Sequence, residues 1–194
     1  LAWTDGRKGE VIRNFVDLES FHPGIDGSSI RARYGIVNAA PVLLYLGGLS
    51  DAKGVWPLLQ ALSHVVKSMP AVRCIMPGLR FQGIARRFGS TATRENRFDR
   101  EVKKLGLGSV IVELPFATDV RPLIAASNLV VFPATQPHFA RPAIEAAAMG
   151  KPVVASRFPV LEELVRDGES GVLVPPSDPF QLSSPLGRVL KEPV

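Results

Sequence analysis

After Ala40 the chain alternates short apolar runs with longer stretches whose apolar positions recur every three or four residues. The run "PVLLYLGG" predicts a buried strand, and within 55–68 Leu58, Leu59, Leu62, Val65 and Val66 share one helical face. "VRCIM" predicts the next strand, closed by Pro77 and Gly78. In "RENRFDREVKKLGLG", Phe98, Val102 and Leu105 keep helical spacing, and Gly106 supplies a C-terminal stop. Strand "VIVEL", a helix around 120–126, strand "LVVFP", a helix over 142–149 and strand "PVVAS" follow. A short helix near 161–165, strand "GVLVP" and a helix from about residue 179 complete the series. Pro185 and Gly187 lie inside that last helix and predict fraying or a break, because an interior proline costs about 3 kcal/mol.

This gives about six strands, each followed by a helix. Their apolar runs are continuous rather than alternating, so both faces of the sheet are covered. The expectation is an α/β fold: a Rossmann-like, doubly wound parallel sheet of about six strands with helices on both faces. In such sheets ligands bind beyond the carboxyl ends of the strands, which directs attention to the loops "GGLSDAKG", "PGLR", "PFATDV", "PATQPHFARP" and "SRFPVLEE". The first forty residues stand outside the alternation. Residues 1–23 read as the tail of a preceding unit, 24–40 as a linker or short helix with little core of its own, and 41–194 as the Rossmann-like domain.

Composition narrows this further. With 194 residues, 46% of them hydrophobic and 21% charged, the chain suits one domain with a real core, or one domain plus a piece of another. Cys74 is the only cysteine, so it forms no internal disulfide and reads as a small core residue, in keeping with a reducing cytoplasm. No apolar run approaches the roughly 18 residues of a membrane helix. The net charge of +5 has one source: 80–104 holds eight basic residues (Arg80, Arg86, Arg87, Arg94, Arg97, Arg100, Lys103, Lys104) against three acids. A basic face can meet nucleic acid or anionic lipid, or can be a solvated face with acid–base pairing. Only Phe81, Phe88 and Phe98 interleave it, a poor stacking platform, so no nucleic-acid partner is expected.

Two loops carry candidate chemistry. In "GGLSDAKG" Gly47 and Gly48 permit close backbone approach, and Lys53 precedes a helix start where phosphate oxygens can be held; the alternative is an exposed lysine in a turn. The loop matches neither GxGxxG nor the Walker pattern. In "PHFARPAIEAAAMG" Pro142 fits the first helical position, with Arg141 before it and Glu145 expected in the first turn. A carboxylate there either serves the helix dipole or accepts hydrogen bonds from a vicinal diol. His138 has no spaced His, Cys or Asp partners, which argues against a metal site. GxSxG is absent, which argues against a hydrolase.

These pieces together resemble the nucleotide-sugar-binding C-terminal domain of family 4 (group 1) glycosyltransferases of the GT-B fold. "VIRNFVDLESFHPG" resembles the hinge pattern V-I-x-N-G-V-D-x-x-x-F-x-P, and "YLGGLSDAKG" the G-R-L-x-x-x-K-G loop. "LPFATDVRPLIAASNLVVFPA" is similar to the base-binding turn and its helix. "ARPAIEAAAMGKPVVAS", with "EELVRDGESGVLVPPSDP" after it, is similar to E-G-F-G-x-x-x-x-E-A-x-A-x-G-x-P-V-V-A and its continuation. The resemblance runs from Val11 to about Pro179. It implies that Glu145 binds the nucleotide ribose, that Lys53 neutralises the diphosphate, and that the stretch from Phe116 through Thr118 and Asp119 to Val120 cradles the base. It further implies that Gly47, Gly48, His138, Phe139, Ala140 and Arg141 surround the diphosphate and sugar. A retaining transfer from a nucleoside diphosphate sugar is implied, with no metal and no other cofactor. Also implied is an N-terminal acceptor domain as partner, without which the chain is inactive. A cytoplasmic location is expected, with room for peripheral contact at the inner face of the membrane in the full-length protein.

The departures are specific. Pro137 stands where the family has the first Glu of its E-x7-E pair, and Gly48 stands where it has an arginine. His138 and Ala140 replace the glycines flanking Phe139, and Pro159 with Val160 replaces a common Gly-Gly. Arg141 is the expected substitute for the lost cation. The alternative to a transferase half is a degenerate module that binds a nucleotide or a protein partner without catalysis. A UDP-sugar epimerase of the same fold lacks this combination of hinge and helix motif.

Overall fold

The computed structural model describes residues 14–80 and 91–192, without the side chains of Thr91 and Ala92. Residues 1–13, with the start of the hinge-like motif, and 81–90, with Arg86, Arg87, Phe81 and Phe88, lie outside the described residues.

Six strands, β1 (Val42–Leu44), β2 (Arg73–Pro77), β3 (Ile111–Leu114), β4 (Leu129–Phe132), β5 (Val153–Ser156) and β6 (Gly171–Val174), form one sheet of order β3-β2-β1-β4-β5-β6. Every pairing is parallel. Seven helices join the described segments: α1 (Ser28–Arg33), α2 (Val55–Ser68), α3 (Thr91–Lys104), α4 (Arg121–Ala126), α5 (Arg141–Ala148), α6 (Pro159–Glu162) and α7 (Pro179–Lys191). The strand order reverses between β1 and β4, so the chain leaves these neighbours in opposite directions and opens a crevice at their carboxyl ends.

The continuous apolar strands follow from two separate cores. Leu43, Tyr45, Cys74, Met76, Leu129 and Val131 face α2, α7 and Phe98 of α3. Val42, Leu44, Ile75, Val130, Phe132 and Ala155 face α4, α5 and Leu161 of α6. Successive strand residues thus alternate between two faces that are both dry, and no polar alternation is needed. Cys74 is fully buried and burial pushes its thiol up, which keeps it protonated and inert.

Gly106 ends α3 as expected, with φ of 68° and the Leu107 amide donating to Val102 O at 2.9 Å. The break expected at Pro185 does not occur. Helix α7 runs through it, and Pro185 is buried with Leu182, Leu186, Val189 and Leu190 on the face toward α2. The carbonyl that a proline there leaves unpaired is that of Gln181, an exposed residue open to water. Each buried Leu or Val contributes about 1.5–3 kcal/mol, so the face as a whole outweighs one lost bond. Asp178 also caps the helix start, accepting from Gln181 N at 2.9 Å.

Helix α1 buries no side chain of its own. It is held by Arg31, whose guanidinium donates to Ala126 O at 2.9 Å, Asn38 O at 3.0 Å, Ala40 O at 3.1 Å and Asn128 Oδ1 at 3.1 Å. Within 24–40 the anchors in the core are Ile36 and Ala40.

The tightest approach lies at the reversal itself. Gly54, with φ of 78°, sits so close to β4 that an added Cβ would fall 1.7 Å from Pro133 O. A Gly54→Ala chain is expected to lose at least about 2 kcal/mol of unfolding free energy, from left-handed strain plus overlap with backbone that cannot move freely. Urea unfolding measures this, and a midpoint equal to the parent's would refute the close approach.

Candidate donor site

Three strand-to-helix loops meet at the crevice. The loop after β1 is a turn built on glycines. Gly47 has no room for a side chain, since a Cβ would lie 2.0 Å from Tyr45 Oη, whereas Gly48, at φ of 59°, faces open space. The buried Tyr45 hydroxyl donates to Lys53 O at 3.2 Å, and burial raises its phenol above the ordinary value. The Lys53 side chain itself is exposed.

The loop after β3 carries Phe116, Thr118 and Asp119. Asp119 takes two side-chain bonds from Arg121, Nε to Oδ1 at 2.8 Å and Nη2 to Oδ2 at 2.9 Å, and a third from Arg121 N at 3.0 Å. That guanidinium holds its carboxyl below the usual range. Arg121 also reaches back to the hinge segment, donating to Ser20 O at 3.5 Å with its guanidinium 6.0 Å from the Phe21 ring centre.

In the loop after β4, His138 Nδ1 lies 3.0 Å from Gln136 O and the ring packs 4.9 Å from that of Phe132. Its Nε2 is buried without a protein partner. Ala140, expected beside the diphosphate and sugar, is fully buried in the α5 core and presents no exposed surface to a ligand. Helix α5 starts at Arg141, not Pro142, which moves Glu145 from the expected first turn to the second. The dipole effect fades within one turn, so helix capping does not account for this carboxylate. Glu145 is only 6% exposed, and among the described residues its ion pair is with Arg141 Nε at 3.0 Å, whose own side chain is 74% exposed. Burial raises the Glu145 carboxyl above its ordinary value, and Arg141 opposes this without cancelling it.

One cavity of about 560 Å³ joins these parts. Phe116, Thr118 and Asp119 line one side, Arg141, Pro142 and Glu145 another, and Leu46 the floor between them. Ser20 and Phe21 complete the wall together with Ala117, Val120 and Arg121. The stretch from Phe116 to Val120 and the pair Arg141 and Glu145, all expected from sequence, therefore share one cavity. Gly47, Gly48 and Lys53, and His138, Phe139 and Ala140, stand on the adjoining loops rather than on its wall. Ser20, Phe21, Leu46 and Arg121 were not anticipated as lining. The F-x-P of the hinge motif was the available signal for Phe21. Among the described residues no group of three His, Cys, Asp or Glu side chains is placed to hold a metal ion, and no helix is long and apolar enough to cross a membrane.

The arrangement has relatives. The D-inositol 3-phosphate glycosyltransferase of Streptomyces bingchenggensis is 30% identical over 187 residues, covering 94% of this chain and 40% of that protein. The chain thus spans about two fifths of the length of the curated relatives it matches. Anabaena Alr3699/HepE, solved in complex with UDP, superposes with a TM-score of 0.81 at 28% identity over 94% of this chain and 48% of that one. The C-terminal domain of the group 1 glycosyl transferase LpcC from Francisella tularensis covers 91% of this chain and 88% of its own, with a TM-score of 0.73. At 21% identity it shows the shared fold alone. The profile of the family described as glycosyl transferases group 1 matches residues 27–193. With that match over most of its length, the chain belongs to the group 1 glycosyl transferases.

Proposed function

We propose that this chain is the donor-binding half of a retaining, metal-independent glycosyltransferase that passes a hexosyl group from a nucleoside diphosphate sugar to an acceptor. The observation that carries this reading is the buried Glu145 carboxylate on the wall of a cavity at the strand-order reversal. A charge kept at 6% exposure with one exposed cation for company is costly to the fold, and a binding role accounts for that cost. Its two oxygens suit the vicinal hydroxyls of a ribose. The turn from Phe116 to Val120 offers an apolar face and backbone groups to a base. The positive end of α5, with the side chains of Lys53 and Arg141, meets the diphosphate. Those positive groups stabilise the charge that develops on a departing diphosphate, the task a metal performs elsewhere. The UDP bound by the Anabaena relative makes UDP the first nucleotide to test. The acceptor and the remaining catalytic groups belong to an N-terminal domain outside this sequence, and the chain alone does not transfer sugar. Cytoplasmic placement, with peripheral contact at the inner face of the membrane in the full-length protein, belongs to the same reading.

A second reading is favoured by Pro137 and Gly48, which stand where the family has a carboxylate and an arginine. In it the module binds a nucleotide or a partner without catalysis. Joining the chain to its N-terminal domain separates the two, since sugar transfer by the joined protein excludes the second.

Titration calorimetry of the chain with UDP, GDP, ADP and CDP, without added metal, tests the donor site. One nucleoside diphosphate is expected to bind in the micromolar to millimolar range. Lys53→Ala and Glu145→Ala are each expected to weaken it about tenfold, or about 1.4 kcal/mol. A folded chain that binds none of the four overturns the donor-site reading.

The cost to the fold is separately measurable. Because burial raises the Glu145 carboxyl, its stability contribution is intact below the ordinary carboxyl pKa and is lost as pH rises through the raised folded value. Glu145→Gln is therefore expected to melt about 2 °C above the parent at pH 7, with the difference closing below about pH 4. A lower melting temperature at pH 7 would show that the carboxylate serves the fold instead.

A further inference from the structure

Among the described residues the basic positions of 80–104 have no part in the cavity, yet α3 from that stretch reaches the loop bearing Lys53. Asp51, in the middle of that loop, accepts a hydrogen bond from Trp56 Nε1. Arg97 stacks on the Trp56 ring at 3.8 Å from its centre, with Arg97 Nη1 3.8 Å and Arg94 Nη2 3.7 Å from the Asp51 carboxylate. The backbone beneath is as fully engaged. Ser50 O accepts from Lys53 N at 3.2 Å, and Asp51 O from Gly54 N at 3.0 Å and Thr135 Oγ1 at 2.9 Å. Ala52 O accepts from Thr135 N at 2.9 Å, and Lys53 O from Tyr45 Oη at 3.2 Å. Four consecutive carbonyls are thus bonded while the Lys53 side chain is left exposed.

We infer that Asp51 and Trp56 are positioning residues for the diphosphate. With α3 they hold the turn at 50–54 so that the Lys53 ammonium and the open backbone at Gly48 are aimed before the ligand arrives. The inference rests on the donor-site reading above. Its physical basis is preorganisation: a turn ordered in the free chain loses little freedom on binding. Asp51, Arg94 and Arg97 are each about half exposed, so their loose ion pairs are weak singly. The directional parts are the indole hydrogen bond and the guanidinium stack.

The sign of one substitution separates positioning from plain charge. Asp51 is an anion beside an anion-binding loop, so if only charge mattered Asp51→Asn would tighten UDP. Positioning requires the reverse. Trp56→Phe keeps an aromatic face for Arg97 and every charge but removes the Nε1 donor. Calorimetry with UDP and UMP (or the pair of the base selected above) is combined with amide hydrogen exchange over 48–54. Both variants are expected to bind UDP about fivefold more weakly, as loss of a hydrogen bond to a charged group implies. UMP affinity is expected within twofold of the parent's, and exchange in the turn faster. Tighter UDP binding by Asp51→Asn, or unchanged UDP binding by both variants, overturns the positioning role and leaves the donor site standing. A parent chain that binds no nucleoside diphosphate overturns the donor site, and the positioning role with it.

Discussion

The contact on which the site depends is between backbones: Gly54, at the start of α2, lies against the Pro133 carbonyl at the end of β4. Strands β1 and β4 are parallel neighbours whose following segments diverge to opposite faces of the sheet. Two loops that leave in opposite directions have no reason to stay together unless something crosses the crevice between them. A residue without a side chain removes the steric barrier, and the Thr135 bonds to Ala52 O and Asp51 O then join the two loops. The loop bearing Lys53 and the loop leading to α5 consequently behave as one floor. On the donor-site reading, that contact is what makes one site of the lysine, the start of α5 and Glu145.

Glu145 supplies the opposing pressure. Its carboxylate gains little from a solvent-facing Arg141, and burial raises its carboxyl. Most buried charges in stable cores are paired by geometry far better than this. A stabilising backbone clasp beside the cavity is thus combined with a destabilising charge on its wall. That pairing is common where binding, rather than folding, has set the residue.

Much of the fold was legible because its signals are local. Continuous apolar runs such as "LVVF" and "PVVAS" announce strands buried on both faces, and Gly106 announces its own stop. Pro185 misled because helix propensity is a local quantity, whereas the apolar face of α7 against α2 is a tertiary one. The site was legible in part. Lys53 sits in, and Arg141 and Glu145 follow directly on, loops that any parallel sheet would single out, but the register of α5 was not legible, since Pro142 suits either of its first two positions. Ser20 escaped notice as cavity wall because no local pattern places it over the turn at Asp119, and for Phe21 the F-x-P of the hinge-like segment was a signal of identity but not of place. The link from Asp51 to Arg97 joins residues forty-odd positions apart, and no periodicity reports it.

The departures from the family pattern look less arbitrary once charge is followed through space. The chain lacks a cation at Gly48 and an anion at Pro137, so one positive and one negative group are absent together and the local balance is kept. On the donor-site reading, Arg141 then has two anionic neighbours to choose between: Glu145, one turn away, and the incoming diphosphate. Ribose hydroxyls donating to Glu145 replace part of what Arg141 supplies, which leaves the guanidinium fork available for phosphate oxygens. A cation held by a carboxylate until the ligand satisfies that carboxylate is stored in the empty site rather than left loose in solvent. The same logic holds on the other loop, where Asp51 keeps Arg94 and Arg97 close to the turn without giving up Lys53. On that reading a carboxylate in both places organises the cations for a ligand that is itself an anion, which would account for acids standing where a simple count of charge would exclude them.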